Sequence, residues 1–265
     1  MSTTNQLYKG TIVKLTGRTI LITGGTSGIG LELAKQLIAQ RNTVLITGRD
    51  AERLAATRST LPVHTYLSDA GNPVDIQKLQ KTIAADFPNL DTLINNAGIM
   101  RNLDLNQPHE LTDVTLELAV NLCGPVQMVQ AFLPGLKARP DGLIVNVSSG
   151  LAFIPFPLSP VYSAAKAGVH AYTRCLRAQL TQSNVRIVEV APPGTETPLF
   201  RGEFEKEMKG QKGMDVQALA KKTISGIESG KTEIRPGLSN ILYVLSRIAP
   251  RIPFGQMAKM LPAAG

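Results

Sequence analysis

Short apolar runs alternate with longer amphipathic stretches along most of the chain. Thr19–Thr23 (TILIT), Thr43–Thr47 (TVLIT), Val63–Leu67 (VHTYL), Asp91–Ile94 (DTLI), Leu143–Val147 (LIVNV) and Val185–Val190 (VRIVEV) are four to six residues long. Runs of that length read as buried strands. The stretches between them repeat their apolar residues at helical spacing. Leu33, Leu37 and Ile38 mark a helix over 31–40, and Ile76, Leu79 and Ile83 mark one over 72–87. Leu111, Val114, Leu118, Leu122, Val126 and Val129 predict one long helix over 111–136. Helices are also expected over 51–58, 163–180 and 216–228, with Lys231–Arg235 as a short seventh strand. Strands alternating with helices predict an α/β fold around a parallel sheet.

Composition narrows the class without naming a function. The 265 residues are 43% hydrophobic and 18% charged, as in ordinary globular chains. That length suits one domain over 1–265, large enough to need no metal or disulfide staple. Cys123 and Cys175 form no CxxC pair and read as reduced thiols in a cytoplasmic protein. The segment MSTTNQLYKGTIVKLTG lacks a continuous apolar core, so no signal peptide is expected, and no 18-residue apolar run predicts a membrane span. Net charge is +8, and Lys231, Arg235, Arg247, Arg251 and Lys259 against Glu233 alone supply half of it. No dense Lys/Arg run occurs, which argues against nucleic acid. The apolar, basic tail 236–265 is expected to pack on the domain or on a partner subunit, rather than on a membrane. Segment 199–215 (LFRGEFEKEMKGQKGMD) is polar and rich in glycine, a composition that suits a mobile lid.

Chemistry gathers at the predicted strand ends. After the first strand, Gly24-Gly25-Thr26-Ser27-Gly28-Ile29-Gly30 opens a helix. Glycines there let the backbone approach a pyrophosphate, and the helix N-terminus faces it with free N–H groups. The second strand ends in Gly48-Arg49-Asp50. An NAD site usually has an acid near this distance; Gly48 has no side chain, and the Arg49 guanidinium suits a 2′-phosphate. Asp50 is expected to cap the following helix. Asp69 at the end of the third strand either meets an adenine amine or caps a turn. Asn95-Asn96-Ala97-Gly98 follows the fourth strand, and Asn121 sits within the long helical pattern just before Gly124-Pro125. Tyr162 and Lys166, at i and i+4, share a helix face, where a cation is expected to lower the phenol pKa. Ser149 lies thirteen residues earlier, and the apolar loop LAFIPFPLSP between them is able to bring it back beside Tyr162. His64, His109 and His170 are scattered, and no metal site is expected.

TGGTSGIG at 23–30, NNAG at 95–98, the set Asn121, Ser149, Tyr162 and Lys166, and PPGTETP at 192–198 together resemble the short-chain dehydrogenase/reductase family in its single-domain branch. The resemblance runs from about Thr19 to Leu199. It implies a Rossmann-type doubly wound parallel sheet of about seven strands with helices on both faces. It also implies an oxidoreductase that moves a hydride between a nicotinamide cofactor and a carbonyl or alcohol. Tyr162 would be the acid/base, Lys166 would tune it and bond the cofactor ribose, and Ser149 would position the carbonyl. Asn121 would hold a proton-relay water. Cofactor contacts would come from Gly24, Thr26, Ser27, Gly28, Ile29, Gly30, Arg49, Asp69, Asn96, Ala97, Gly98, Tyr162, Lys166, Pro193, Gly194, Thr195 and Thr197, with Thr197 on the carboxamide. The cofactor is expected to be NADP(H) ahead of NAD(H). Many NADP-preferring members carry a basic residue in the glycine loop; Thr26-Ser27 stands there here, so Arg49 alone carries that expectation. A homodimer or homotetramer through the helices bearing Asn121 and Tyr162 is implied. The four-residue Tyr–Lys spacing argues against the family's enoyl reductases, and the length argues against its sugar-nucleotide epimerases. The substrate is expected to be apolar, from Phe153 and Phe156, although Arg101 nearby would favour an anion. The competing reading is a cofactor-binding regulatory or membrane-surface protein without turnover.

Overall fold

The computed structural model describes residues 13–261. Most of the N-terminal segment read for a signal peptide, and the last four residues of the tail, lie outside them. Seven strands form one sheet in the order β3-β2-β1-β4-β5-β6-β7, every pair parallel. They are β1 Thr19–Ile22, β2 Thr43–Gly48, β3 His64–Leu67, β4 Thr92–Asn95, β5 Gly142–Val147, β6 Val185–Val190 and β7 Glu233–Ile234. The order reverses between β1 and β4, and ligands bind beyond the strand ends at such a switch point.

Both faces of the sheet are covered, which is why the strands read as continuous apolar runs. The helices are α1 Gly28–Ala39, α2 Ala51–Thr60, α3 Pro73–Asp86, α4 Gly124–Lys137, α5 Pro160–Gln179, α6 Val216–Glu228, α7 Leu238–Ile248 and α8 Arg251–Ala258, besides shorter turns. Alternate residues of one strand serve opposite cores. Ile20 and Ile22 of β1 pack with Leu33 and Leu37 of α1 and Ile224 of α6. Leu21, between them, packs with Ile76 of α3, Met128 of α4 and Leu176 of α5.

Two helices differ from the sequence expectation. The long helix over 111–136 is broken. Short turns at Leu111–Val114 and Leu116–Leu118 lead into a π-helical turn at Ala119–Cys123, and α4 starts only at Gly124. Pro125 has no N–H to offer the carbonyl one turn back, so the regular ladder cannot run through. Helix α5 begins at Pro160, three residues earlier than expected, because proline is favourable in a first turn. The polar segment after β6 is anchored: Phe204 and Met208 are buried and pack with Phe156. Arg201 holds its base through Glu196 and the carbonyls of Met208 and Gln211.

Candidate active site

One cleft of about 1160 Å³ runs across the carboxyl ends of the strands. The loop from Gly24 to Ser27 forms one wall. Asn96, just past β4, stitches that loop in place: its backbone N–H donates to Thr23 Oγ1 at 3.0 Å, and its amide donates to the carbonyls of Thr23 and Gly24 at 3.0 and 3.1 Å. Gly30 is required by close approach, since a Cβ there would lie 2.3 Å from the Gly24 carbonyl oxygen. Ser27 at the start of α1 makes no side-chain capping bond. The N–H groups of the first turn therefore point free into the cleft, as a phosphate needs.

Beyond β2, Arg49 is exposed and lines the same cleft. Asp50 caps α2 by accepting from the Arg53 N–H at 3.0 Å, and its carboxylate pairs with the Arg53 guanidinium at 3.3 Å. Arg53 also lines the cleft. It is a second cation that the sequence reading missed, although its place three residues after the capping Asp50 put it in the first turn of α2. Asp69 lines the cleft and also caps its own turn through the Gly71 N–H at 2.8 Å. On the opposite wall, Thr197 caps the turn Pro198–Arg201, accepting from the Phe200 N–H at 3.3 Å. Ala97, Gly98, Pro193, Gly194 and Thr195 complete the lining between these ends.

The proton-handling side chains converge at the end of β5. Ser149, Tyr162 and Lys166 are all buried and all line the cleft. The Lys166 ammonium donates to the Val147 carbonyl at 3.0 Å and lies 5.6 Å from the Tyr162 ring centre. The apolar loop before α5 is pinned at both ends: Phe156 N–H donates to Ser163 Oγ at 2.9 Å, and Ser159 Oγ donates to the Arg101 carbonyl at 2.7 Å. Asn121 sits fully buried in the π-turn, its amide donating to the Ile99 carbonyl at 2.7 Å. A Cβ on Gly98 would fall 2.9 Å from Asn121 Oδ1, so glycine is needed there for Asn121 to pack as it does.

The electrostatics correct one expectation. Lys166 does not bring the Tyr162 phenol down. Burial pushes that phenol up to about 12, a hydrogen bond with Ser149 opposes the rise, and the buried Glu117 carboxylate adds to it. Burial likewise pulls the Lys166 ammonium down to about 8. Desolvation disfavours the charged form of each.

Several other residues change the picture. Arg101 is not free for an anionic substrate, because both its terminal nitrogens bond the Asp113 carboxylate, at 2.9 and 2.7 Å. Glu117, buried one turn before Asn121, accepts the Arg101 N–H at 2.9 Å. Below the cleft, Glu189 accepts from Ser148 Oγ at 2.5 Å and pairs with His170 Nδ1 at 2.8 Å. A lone acid in the apolar run VRIVEV was the available signal for that pair. The substrate end of the cleft is apolar, with Met100, Leu151, Phe156, Met208, Met257 and Met260 among its lining.

Comparison with known proteins places this geometry. Residues 18–208 match the family model described as short chain dehydrogenase. The chain is 38% identical over 224 residues to the uncharacterized oxidoreductase DltE of Bacillus subtilis strain 168, spanning 84% of this chain and 89% of that protein. It is 32% identical over 197 residues to the NADP-dependent 3-hydroxy acid dehydrogenase YdfG of Escherichia coli K12, spanning 72% and 79%. In fold it is similar to a short chain dehydrogenase from Burkholderia cenocepacia solved with NADP, at a TM-score of 0.79 and 23% identity, covering 92% of this chain and 99% of that one. A short chain dehydrogenase/reductase from Burkholderia phymatum solved with NAD gives 0.80 at 20% identity, covering 92% and 97%.

Proposed function

The chain belongs to the short-chain dehydrogenase family, and we propose that it is an NADP(H)-dependent oxidoreductase acting on an apolar carbonyl or alcohol. The observation that carries this reading is the convergence of Ser149, Tyr162 and Lys166 at the end of β5, in the same cleft as the glycine loop. A bound nicotinamide cofactor supplies the hydride. The free N–H groups at the start of α1 and the closely packed glycine loop suit its pyrophosphate, Asp69 its adenine end, and Thr197 and Lys166 its nicotinamide end.

The chain's own side chains then account for the proton. With its pKa near 12, Tyr162 keeps its hydroxyl proton at neutral pH, ready to donate to a carbonyl oxygen. Ser149 positions that oxygen and steadies its developing negative charge. Lys166, cationic below about pH 8, favours the phenolate that donation leaves behind. Asn121, which packs against Gly98 near Lys166, would hold a relay water. The methionine-rich end of the cleft favours an apolar substrate, since flexible thioethers adapt to irregular shapes, and the engagement of Arg101 by Asp113 removes the case for an anionic one. A turnover screen of ketones with NADPH and of alcohols with NADP tests the whole reading; no oxidation or reduction across long-chain and cyclic substrates would defeat it.

Arg49, and beside it Arg53 paired with Asp50, line the cleft and favour the 2′-phosphate of NADP(H). The 32% identical YdfG is NADP-dependent by its name, which supports the same choice. Arg49→Asp should weaken NADPH binding by roughly ten- to a hundredfold, the range of one or more charge-assisted hydrogen bonds, and favour NADH instead. Fluorescence titration of both cofactors measures this, and equal dissociation constants in the parent protein would contradict it.

A further inference from the structure

The C-terminal helices carry an apolar face that the rest of the described chain leaves uncovered. Seven of the twelve large apolar side chains exposed among the described residues fall between Leu238 and Leu261. On α7, Ile241, Val244 and Ile248 follow the i, i+3, i+7 spacing of a single helix face and are 54%, 45% and 73% exposed. Ser239 and Leu242, on the other side of α7, are buried against the turn at Gly150. Ile252 of α8, which lines the cleft with Ile241, continues the exposed set, whereas Phe254, two residues on, is exposed on another side of that helix. A monomer rarely leaves such a concentration of apolar surface without a partner.

The charge around this face selects the partner. From Ile234 to the end of the chain there is no Asp or Glu, but there are four cations. Arg235 is engaged by Glu233 and by the Tyr243 ring. Arg247, Arg251 and Lys259 are exposed. A second copy of the chain, paired through the same face about a two-fold axis, would set these cations against their own kind. The homo-oligomer implied by the family resemblance uses the helices bearing Asn121 and Tyr162 instead. An apolar helix face edged by Arg and Lys matches the boundary of an anionic bilayer, where apolar side chains enter the acyl region and cations meet lipid phosphates. Ile241 and Ile252 also line the cleft, so this face forms the rim of its opening.

We propose that α7 and α8 dock the protein on anionic lipid bilayers, with Ile241, Val244, Ile248 and Ile252 as the apolar contact and Arg247, Arg251 and Lys259 as the contact to lipid phosphates. The test is sedimentation of the full chain with vesicles of phosphatidylcholine alone and of phosphatidylcholine mixed with phosphatidylglycerol, at low and high salt. Binding to the anionic vesicles, at least tenfold weaker without phosphatidylglycerol and weakened by salt, is the expected result. Ile248→Asp should cut binding to the anionic vesicles at least tenfold. The pair Arg251→Glu and Lys259→Glu should cut it by roughly thirtyfold or more, each basic residue near such a surface being worth about fivefold. These exposed charge reversals keep the test decisive if Ile248→Asp misfolds. NADPH binding and circular dichroism should match the parent in both variants. Failure of the parent to sediment with anionic vesicles overturns the proposal, and so does parent-like binding by the charge-reversed pair. Light scattering that shows Ile248→Asp splitting an oligomer, with lipid binding intact, would assign the face to a second copy and also overturn it.

Discussion

Tyr162→Phe should lower turnover by about 10²–10⁴-fold, the contribution typical of a positioned general acid. The substitution removes one oxygen and keeps the ring. Tyr162 is only 7% exposed, so the ring itself is part of the packing of α5, and the variant should fold. What it loses locally is the hydroxyl's interaction with Ser149. Cofactor binding should change little, because the glycine loop, Arg49 and the Lys166 ammonium remain. The separation of these two quantities is the informative outcome. A regulatory protein without turnover has no rate to lose, and a structural tyrosine would lose stability and cofactor affinity together. Steady-state kinetics beside a cofactor titration gives both numbers, and turnover within a few-fold of the parent would remove Tyr162 from the role of acid.

The central strands were legible because they are buried on both faces and so read as short, largely apolar runs, as with TILIT and LIVNV, whereas the edge strand β3 is partly exposed. Parallel pairing followed from the alternation with helices. What one dimension concealed was where a helix stops being regular. The apolar spacing from Leu111 runs on through the π-turn without marking the buried face there: Leu111 is exposed and Leu118 and Leu122 are half-buried, while Glu117, Val120 and Asn121 are buried. Pro125 was the visible mark of that break. In the site, residues tied to backbone geometry were legible: the glycine loop, Asn96 and the Tyr–Lys pair. Those whose role comes from long-range contact were not. Arg53 reads as an ordinary helical cation until α2 brings it to the cleft, and Glu117 falls among the polar positions of the long helical pattern until burial places its charge near Tyr162. The sign of the Tyr162 shift was misread for the same reason. Spacing reveals which charges are neighbours but not how much water has been removed from around them.

That removal of water has a measurable cost at Lys166, and Lys166→Met should expose it. The side chain is 3% exposed, and burial lowers its pKa to about 8. In the unfolded chain it titrates near 10.5. Below pH 8 both states hold the proton, and the folded state carries the full penalty of the buried ammonium, about 3 kcal/mol for that difference in pKa. Between pH 8 and 10.5 the folded state sheds its proton before the unfolded state does. The unfolded state therefore binds more protons there, and the parent gains stability as pH rises. Methionine fills a similar space without a charge, but it leaves the Val147 carbonyl without its donor, at a cost of about 1 kcal/mol. The variant should thus be more stable than the parent by about 2 kcal/mol at pH 7, and the advantage should vanish by about pH 10. Denaturant unfolding at the two values measures this difference. Turnover should collapse in the same variant, and cofactor affinity should fall with it, because the proposed mechanism has one ammonium serve both the phenolate and the cofactor ribose. A variant less stable than the parent at pH 7 would mean that the ammonium's contacts outweigh its desolvation. Greater stability with lost activity would mean that the protein keeps a costly buried charge for its chemistry and not for its fold.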